Sequence, residues 1–254
     1  MLSADEPIRM IHHLSATGGT LISRCLAAMP DVVLLSELHP LTASMAPFYP
    51  LDPLGQVAWN YSHLLPSDER MYALFRDRLA PVVEMCRVHG KRLVLRDHSH
   101  SDYLTEREPG TRLADALREQ YPLRQVATIR NPIDAWLSMV ENGFAGHLAG
   151  FEDYCERCLR FLDGYADVPV WRYEDFVADP DRVMQALCAQ LDLPFLPGFV
   201  ARAGGVVLSG DSGRRPPSIT ALPRRAVPEG FLPAAVKLAA YREISDRFDY
   251  DADV

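Results

Sequence analysis

The stretch Arg9-Met-Ile-His-His-Leu14-Ser-Ala-Thr-Gly-Gly-Thr20-Leu-Ile-Ser-Arg-Cys-Leu-Ala-Ala-Met29 decides the fold. Arg9 to Leu14 reads as a short strand, and Ser15 to Thr20 as a glycine-containing turn. Leu21, Ile22, Cys25, Leu26 and Met29 then recur at helical spacing until Pro30-Asp31 ends the run. A strand, turn and helix in that order aim backbone N–H groups and the positive end of a helix at one spot, which is how phosphate and sulfate groups are cradled. Thr17, Gly18, Gly19, Thr20 and Leu21 are the candidate donors there. The nucleoside triphosphate loop requires G-x-x-x-x-G-K-[ST], and neither that spacing nor its Lys is present, so an ATPase, GTPase or P-loop kinase is disfavoured. Taken alone, the turn is as well explained by tight packing of the first helix.

Working outward, short apolar runs alternate with helical ones. Strands are expected at Val32 to Leu35, Arg92 to Leu95, Gln125 to Ile129 and Val168 to Arg172. Helices are expected at 69–89, Arg112 to Gln120, Ile133 to Val140, 151–166, Asp181 to Leu191 and Leu232 to Phe248. This alternation predicts an α/β fold: a single domain over 1–254 with a central parallel β-sheet of about four or five strands flanked by helices, P-loop nucleotide-binding-like. Residues 41–68 hold Phe48, Tyr49, Trp59 and Tyr61 without periodicity and read as a loop or lid.

The composition is that of an ordinary folded enzyme: 254 residues, 48% hydrophobic and 24% charged, enough for one substantial core. No apolar run approaches the roughly 20 residues of a membrane helix. Met1 to Met10 has no basic region followed by an apolar run, so a cytoplasmic protein is expected. With 26 Lys and Arg against 34 Asp and Glu, the net charge of −8 opposes loose association with nucleic acid or anionic lipid. Any anion must be captured locally, where basic residues cluster: Arg124 and Arg130, Arg214 and Arg215, Arg224 and Arg225. The five cysteines are expected to be reduced, and the lone Cys155-x-x-Cys158 pair lacks the partners of a zinc site.

A second candidate site is Arg130, at the end of the fourth strand, with Ser138 on the helix that follows. Eight helical residues set the two about 12 Å apart along the axis and about 80° around it. One phosphate touching both would lie beside the helix, gripped by the guanidinium fork and the hydroxyl. Arg-Asn-Pro at a strand end also serves as a turn and capping device, and both readings stand.

Together, S-A-T-G-G-T-L-I-S-R, R-N-P-I-D-A-W-L-S, W-R-Y-E-D-F-V-A-D-P and S-G-D-S-G-R-R resemble the sulfotransferases that use 3′-phosphoadenosine 5′-phosphosulfate (PAPS), in the right order over nearly the whole chain. The resemblance implies transfer of a sulfuryl group to a small-molecule hydroxyl acceptor. It makes Arg130 and Ser138 the ligands of the 3′-phosphate and Thr17 to Thr20 the 5′-phosphosulfate loop. A cofactor-covering loop would span 204–228, with Ser209, Gly213, Arg214 and Arg215 as its binding residues. Arg172 to Asp175 would be a structural strand end.

One departure stands out. Where the family places a Lys or Arg in or just before the phosphosulfate loop, this chain has Ala16 and Thr17. His12, His13, Arg24, Arg96, Arg214 and Arg215 are candidates to supply the missing cation, with Arg96 or Arg214 preferred and Arg24 read as a solvated helix residue. Loss of that cation also leaves room for a catalytically silent 3′-phosphonucleotide-binding protein.

For the acceptor base, Leu95-Arg96-Asp97-His98 resembles the family's Lys-Thr-His segment, making His98 the base and Arg96 the counterpart of the Lys. Glu37, at the end of the second strand, competes. Imidazole as a side-chain type suits proton transfer near neutral pH, whereas an ordinary carboxylate is the weaker base. Asp97 is a candidate to orient an imidazole. His98-x-His100 offers two metal ligands, but no third has matching spacing, so no metal is expected.

Overall fold

The computed structural model describes residues 5–41, 62–209, 218–221 and 223–251. Strands β1 (Ile8–His13), β2 (Val32–Leu38), β3 (Arg92–Asp97), β4 (Leu123–Ile129) and β5 (Val170–Arg172) form one parallel sheet in the order β2-β3-β1-β4-β5. The helices in chain order are α1 (Gly19–Ala27), α2 (Asp68–Val88), α3 (His100–Tyr103), α4 (Arg112–Arg118), α5 (Pro132–Glu141), α6 (Phe151–Gly164), α7 (Tyr173–Ala178), α8 (Pro180–Gln190), α9 (Phe199–Ala203), α10 (Phe231–Ala235) and α11 (Ala239–Phe248).

β1 is buried along its whole length, and its side chains alternate between two layers, as the two-residue period of a strand requires. Ile8 and Met10 pack with Tyr72 and Leu79 of α2 and Leu113 and Leu117 of α4. Ile11 faces the other way, onto Ile22 and Leu26 of α1 and Val183 and Leu187 of α8. A third cluster joins Ile133 and Met139 of α5 to Tyr154, Phe161 and Leu162 of α6 and Tyr241 and Ile244 of α11. The helix expected as one piece at Leu232 to Phe248 is divided. Leu238 adopts extended geometry with ψ 128° and packs into the same cluster as Phe231 and Leu232.

Polar groups in the interior are tied down. Arg9, fully buried, donates from Nε to the Leu191 carbonyl at 2.8 Å and pairs with Glu6 at 2.5 Å, fastening the start of β1 to the end of α8. His12 lies between Asp97 Oδ2 at 2.9 Å and Gln125 Oε1 at 3.0 Å and stacks on Tyr165 with ring centroids 4.2 Å apart.

The expected strand, turn and helix at 9–29 is present as β1, a turn and α1. Thr17 Oγ1 donates to the Leu14 carbonyl at 2.8 Å, and Gly18, the N-cap residue of α1, has φ 84° and ψ 3°. That left-handed conformation favours glycine. A Cβ at Gly18 would also collide with the Tyr173 ring. Gly18→Ala should therefore cost about 2–5 kcal/mol, combining left-handed strain with overpacking. Gly143, with φ 74° and open space where a Cβ would stand, isolates the first effect, so Gly143→Ala should cost only about 1–2 kcal/mol. Urea unfolding of both variants checks this, and equal losses would mean that the Tyr173 contact adds nothing.

Candidate active site

The site grows from an irregularity in β2. Leu35 pairs with Leu95 and Leu38 with Asp97, so Ser36 and Glu37 together lie opposite the single residue Arg96. This is a β-bulge, which re-aims side chains, and Glu37 takes φ 59° within it. Both bulged residues consequently meet the Arg96 guanidinium. Nη1 donates to Ser36 Oγ at 3.0 Å, and Nη2 pairs with Glu37 Oε1 at 2.6 Å.

Arg96 also reaches β1 and the turn. Its Nη2 donates to Thr20 Oγ1 at 2.9 Å and its Nε to His13 Nε2 at 2.6 Å. His13 can accept because its Nδ1–H donates to the Leu14 carbonyl, 3.0 Å away, which fixes the neutral tautomer. Burial, with the nearby Arg96 charge, pushes the His13 pKa down to about 4. The ring lies against the turn, where it occupies the space that a Cβ on Gly19 would need. Gly19 and Thr20 open α1, so their N–H groups have no intrahelical acceptor, and the Thr20 hydroxyl beside them meets Arg96. The Leu21 N–H is different: it donates to the Gly18 carbonyl at 3.0 Å.

On the far side of Glu37, Oε2 lies 2.8 Å from His98 Nε2, while His98 Nδ1 meets Ser101 Oγ at 2.5 Å. Burial works to raise the Glu37 pKa, but the His98 hydrogen bond and the Arg96 guanidinium outweigh it and hold the carboxyl below its usual value. The His100 ring contacts that of His98, with centroids 3.5 Å apart, and burial, reinforced by charge on His98, holds its pKa well below normal. Asp97 orients His12 instead of His98, and Asp102 pairs with His39 Nε2 at 3.2 Å.

Arg130 follows β4 directly. Asn131 caps α5 by accepting from the Ile133 N–H at 3.0 Å, with Pro132 at the first helical position, so Asn131-Pro132 is a capping device. Arg130 itself turns to the glycine turn, donating to the Ala16 carbonyl at 3.3 Å and lying over the Tyr173 ring at 5.0 Å. Ser138 is buried on α5, where the Asn142 amide donates to its carbonyl at 2.6 Å.

The structure thus gathers Glu37, Arg96, His98 and Thr20 at the end of β3 and brings Arg130 to the other edge of the same turn. Ser209 joins the first group by a reciprocal pair of bonds with Ser36, at 2.9 and 2.6 Å. Gly213, Arg214 and Arg215, like most of 41–68, lie outside the described residues. Arg224 and Arg225 are engaged with Asp134 and Glu141 of α5. Arg24, expected in solvent, is buried at 3% exposure, within a continuous run of buried residues from Ile22 to Leu26 of α1. Cys155 and Cys158 are free and buried on α6. Tyr173 carries no sequence signal for the site beyond its position within W-R-Y-E-D.

No helix among the described residues is long and apolar enough to cross a membrane. No curated protein matches the chain by sequence. Among solved structures, the sulfotransferase domain from the curacin biosynthetic pathway is 16% identical with a TM-score of 0.57, covering 96% of this chain and 98% of its own. The sulfotransferase domain from the Synechococcus PCC 7002 olefin synthase is 18% identical with a TM-score of 0.58, covering 96% and 95%. At these identities the likeness is one of fold. The family profile described as the sulfotransferase family matches residues 14–197, most of the length, including the glycine turn, Glu37, Arg96, His98 and Arg130, and the chain belongs to the sulfotransferase family.

Proposed function

We propose that this sulfotransferase moves a sulfuryl group from PAPS to the hydroxyl of a small-molecule acceptor. The observation that carries the reading is the Arg96 guanidinium, which touches Thr20 of the turn and Glu37 of the Glu37–His98 pair together. A single side chain thereby links an anion cradle to a proton acceptor. The donor set fits a polyanionic donor without a bound metal ion: the N–H groups of Gly19 and Thr20, the Thr20 hydroxyl, and the two guanidinium groups of Arg96 and Arg130.

PAPS supplies the activated sulfuryl group, and its 3′-phosphate is assigned to Arg130 and Ser138. Arg96 takes the place of the cation absent from Ala16 and Thr17. With the first-turn N–H groups, it offsets charge developing on the departing phosphate oxygen. As the bond from the acceptor oxygen to sulfur forms and the bond from sulfur to that phosphate oxygen breaks, His98 takes the acceptor proton. Glu37 stabilises the resulting imidazolium and fixes the ring. Glu37 is the weaker candidate for the base because its carboxyl is held below the usual range. Ser209, held on Ser36, leads directly into Gly213, Arg214 and Arg215, which are assigned to cover the nucleotide. A cytoplasmic setting suits five cysteines that are all free.

Thermal unfolding with nucleotides tests donor identity. Adenosine 3′,5′-bisphosphate should raise Tm well above adenosine 5′-monophosphate or ATP, because a ligand bound only to the native state stabilises it. Arg130→Ala should remove the difference by weakening binding about 2–4 kcal/mol. Equal shifts from the three nucleotides in the parent protein would overturn the assignment. Binding of the bisphosphate without turnover of any hydroxyl acceptor would favour the catalytically silent reading.

Turnover kinetics separate the two base candidates. His98→Ala should lower kcat about 100-fold or more while bisphosphate binding is retained, and Glu37→Gln should have the smaller effect. The reverse order would exchange their roles.

A further inference from the structure

Glu37, from the bulge of β2, and His98 and His100, from the end of β3 and the start of α3, bring three ligating atoms within 4.8 Å of one another. Two imidazoles and a carboxylate form a donor set for Zn²⁺ or a similar borderline divalent ion, with one tetrahedral position left open. Around Zn²⁺ at about 2.0–2.1 Å, such donors stand about 3.3 Å apart. Shifts on the order of an ångström, within reach of side-chain rotation, would complete the set, and Glu37 and His98 are already 2.8 Å apart. The carboxyl and one imidazole have outer partners of the kind that orient metal ligands, since Arg96 holds Glu37 Oε1 and Ser101 holds His98 Nδ1.

A separate observation comes from His100. Its Nδ1 atom is buried and has no hydrogen-bond partner. A buried polar nitrogen left unpaired is costly, and such exceptions call for a specific explanation. Coordination of a cation through Nδ1 would give that nitrogen a partner.

The geometry points to a divalent-cation site, formed by Glu37, His98 and His100, that takes Zn²⁺ and shuts off the proton-accepting pair. With Nδ1 of His98 on Ser101, Nε2 is the nitrogen left for the ion. For the ion to bind there, the proton shared by Nε2 and Glu37 Oε2 moves to Nδ1, which then donates to Ser101 Oγ, so the imidazole stays neutral and no proton is lost. His98 then has no lone pair for an acceptor proton, so ion binding and turnover exclude each other. Arg96 beside Glu37 offsets the one ligand charge, which makes the affinity lower than that of a thiolate-rich structural site. The inhibitory consequence rests on the sulfuryl-transfer reading, whereas ion binding does not.

The chelator-treated full chain, titrated with Zn²⁺ by calorimetry and with Co²⁺ by visible absorption, should take up one equivalent and show a tetrahedral Co²⁺ band. Losing an outer partner alone costs about 10–100-fold in metal affinity, so His100→Ala should weaken binding at least about 10-fold, and His100→Gln, closer in size, should do the same with Tm unchanged. In turnover assays Zn²⁺ should inhibit the parent protein reversibly and leave His100→Ala active and insensitive. Absence of stoichiometric uptake, or uptake that both His100 variants retain, would overturn the site. Uptake without inhibition would overturn the shut-off. Neither result bears on the nucleotide-induced Tm shift, which tests the donor reading separately.

Discussion

A buried guanidinium organises this molecule. Arg96 is 3% exposed, and a charge so placed costs several kcal/mol unless it is paired and its donors are satisfied. Each surrounding element answers that demand with a different device. β2 inserts an extra residue, so that a hydroxyl and a carboxylate oppose one side chain. β1 offers His13 in the one tautomer that accepts, and α1 contributes the Thr20 hydroxyl. The order β2-β3-β1 makes this possible, because β3 has β2 on one flank and β1 on the other. The anion cradle and the candidate base consequently lie at the ends of adjacent strands with a common charge between them.

Strand parity then divides the polar residues between two tasks. Successive side chains of a strand point to opposite faces. Arg96 meets His13, Ser36, Thr20 and Glu37, whereas the neighbouring Asp97 accepts from His12, Ser99 and Tyr165. Burial works to raise the Asp97 pKa, but its hydrogen bond and charge interaction with His12 outweigh it. The His12–Asp97 pair is sealed within the fold, while the Glu37–His98 pair, with side chains 10% and 19% exposed, stands nearer solvent. Two histidine–carboxylate pairs of similar length thus differ in access, and only the second can serve an incoming acceptor.

What the sequence discloses follows the range of the interactions involved. Alternating apolar runs, the glycine turn and Asn131-Pro132 are local signals, and each corresponds to an element at nearly the expected place. Arg96 and His98 are legible through the resemblance of Leu95-Arg96-Asp97-His98 to the family's Lys-Thr-His segment at a strand end. The bulge is not, because β2 looks continuous until its register with β3 is known. The same gap hides Glu37 as a companion to the His98-x-His100 pair. Arg24 reads as a solvated helix residue, yet this part of α1 is buried on all sides, from Ile22 to Leu26. Tyr173 reads as a strand end, although its ring closes over Gly18 and Arg130 across a long sequence separation. The division of the last helix at Leu238 likewise follows from packing against α5 and α6, which periodicity alone does not encode.

Glu37 shows how these demands are weighed. Its positive φ is a conformation that costs a residue with a side chain on the order of 1–3 kcal/mol. Glycine would relieve the backbone but remove the carboxylate facing Arg96. Removing one member of a buried ion pair costs about 3–5 kcal/mol, so the electrostatic loss exceeds the strain recovered. The bulge therefore favours an acidic residue over the residue its backbone alone would prefer. The same carboxylate holds His98 at 2.8 Å. The interaction that makes a buried Arg96 tolerable thus also fixes the imidazole beside the anion cradle, and fold stability and site geometry rest on one side chain.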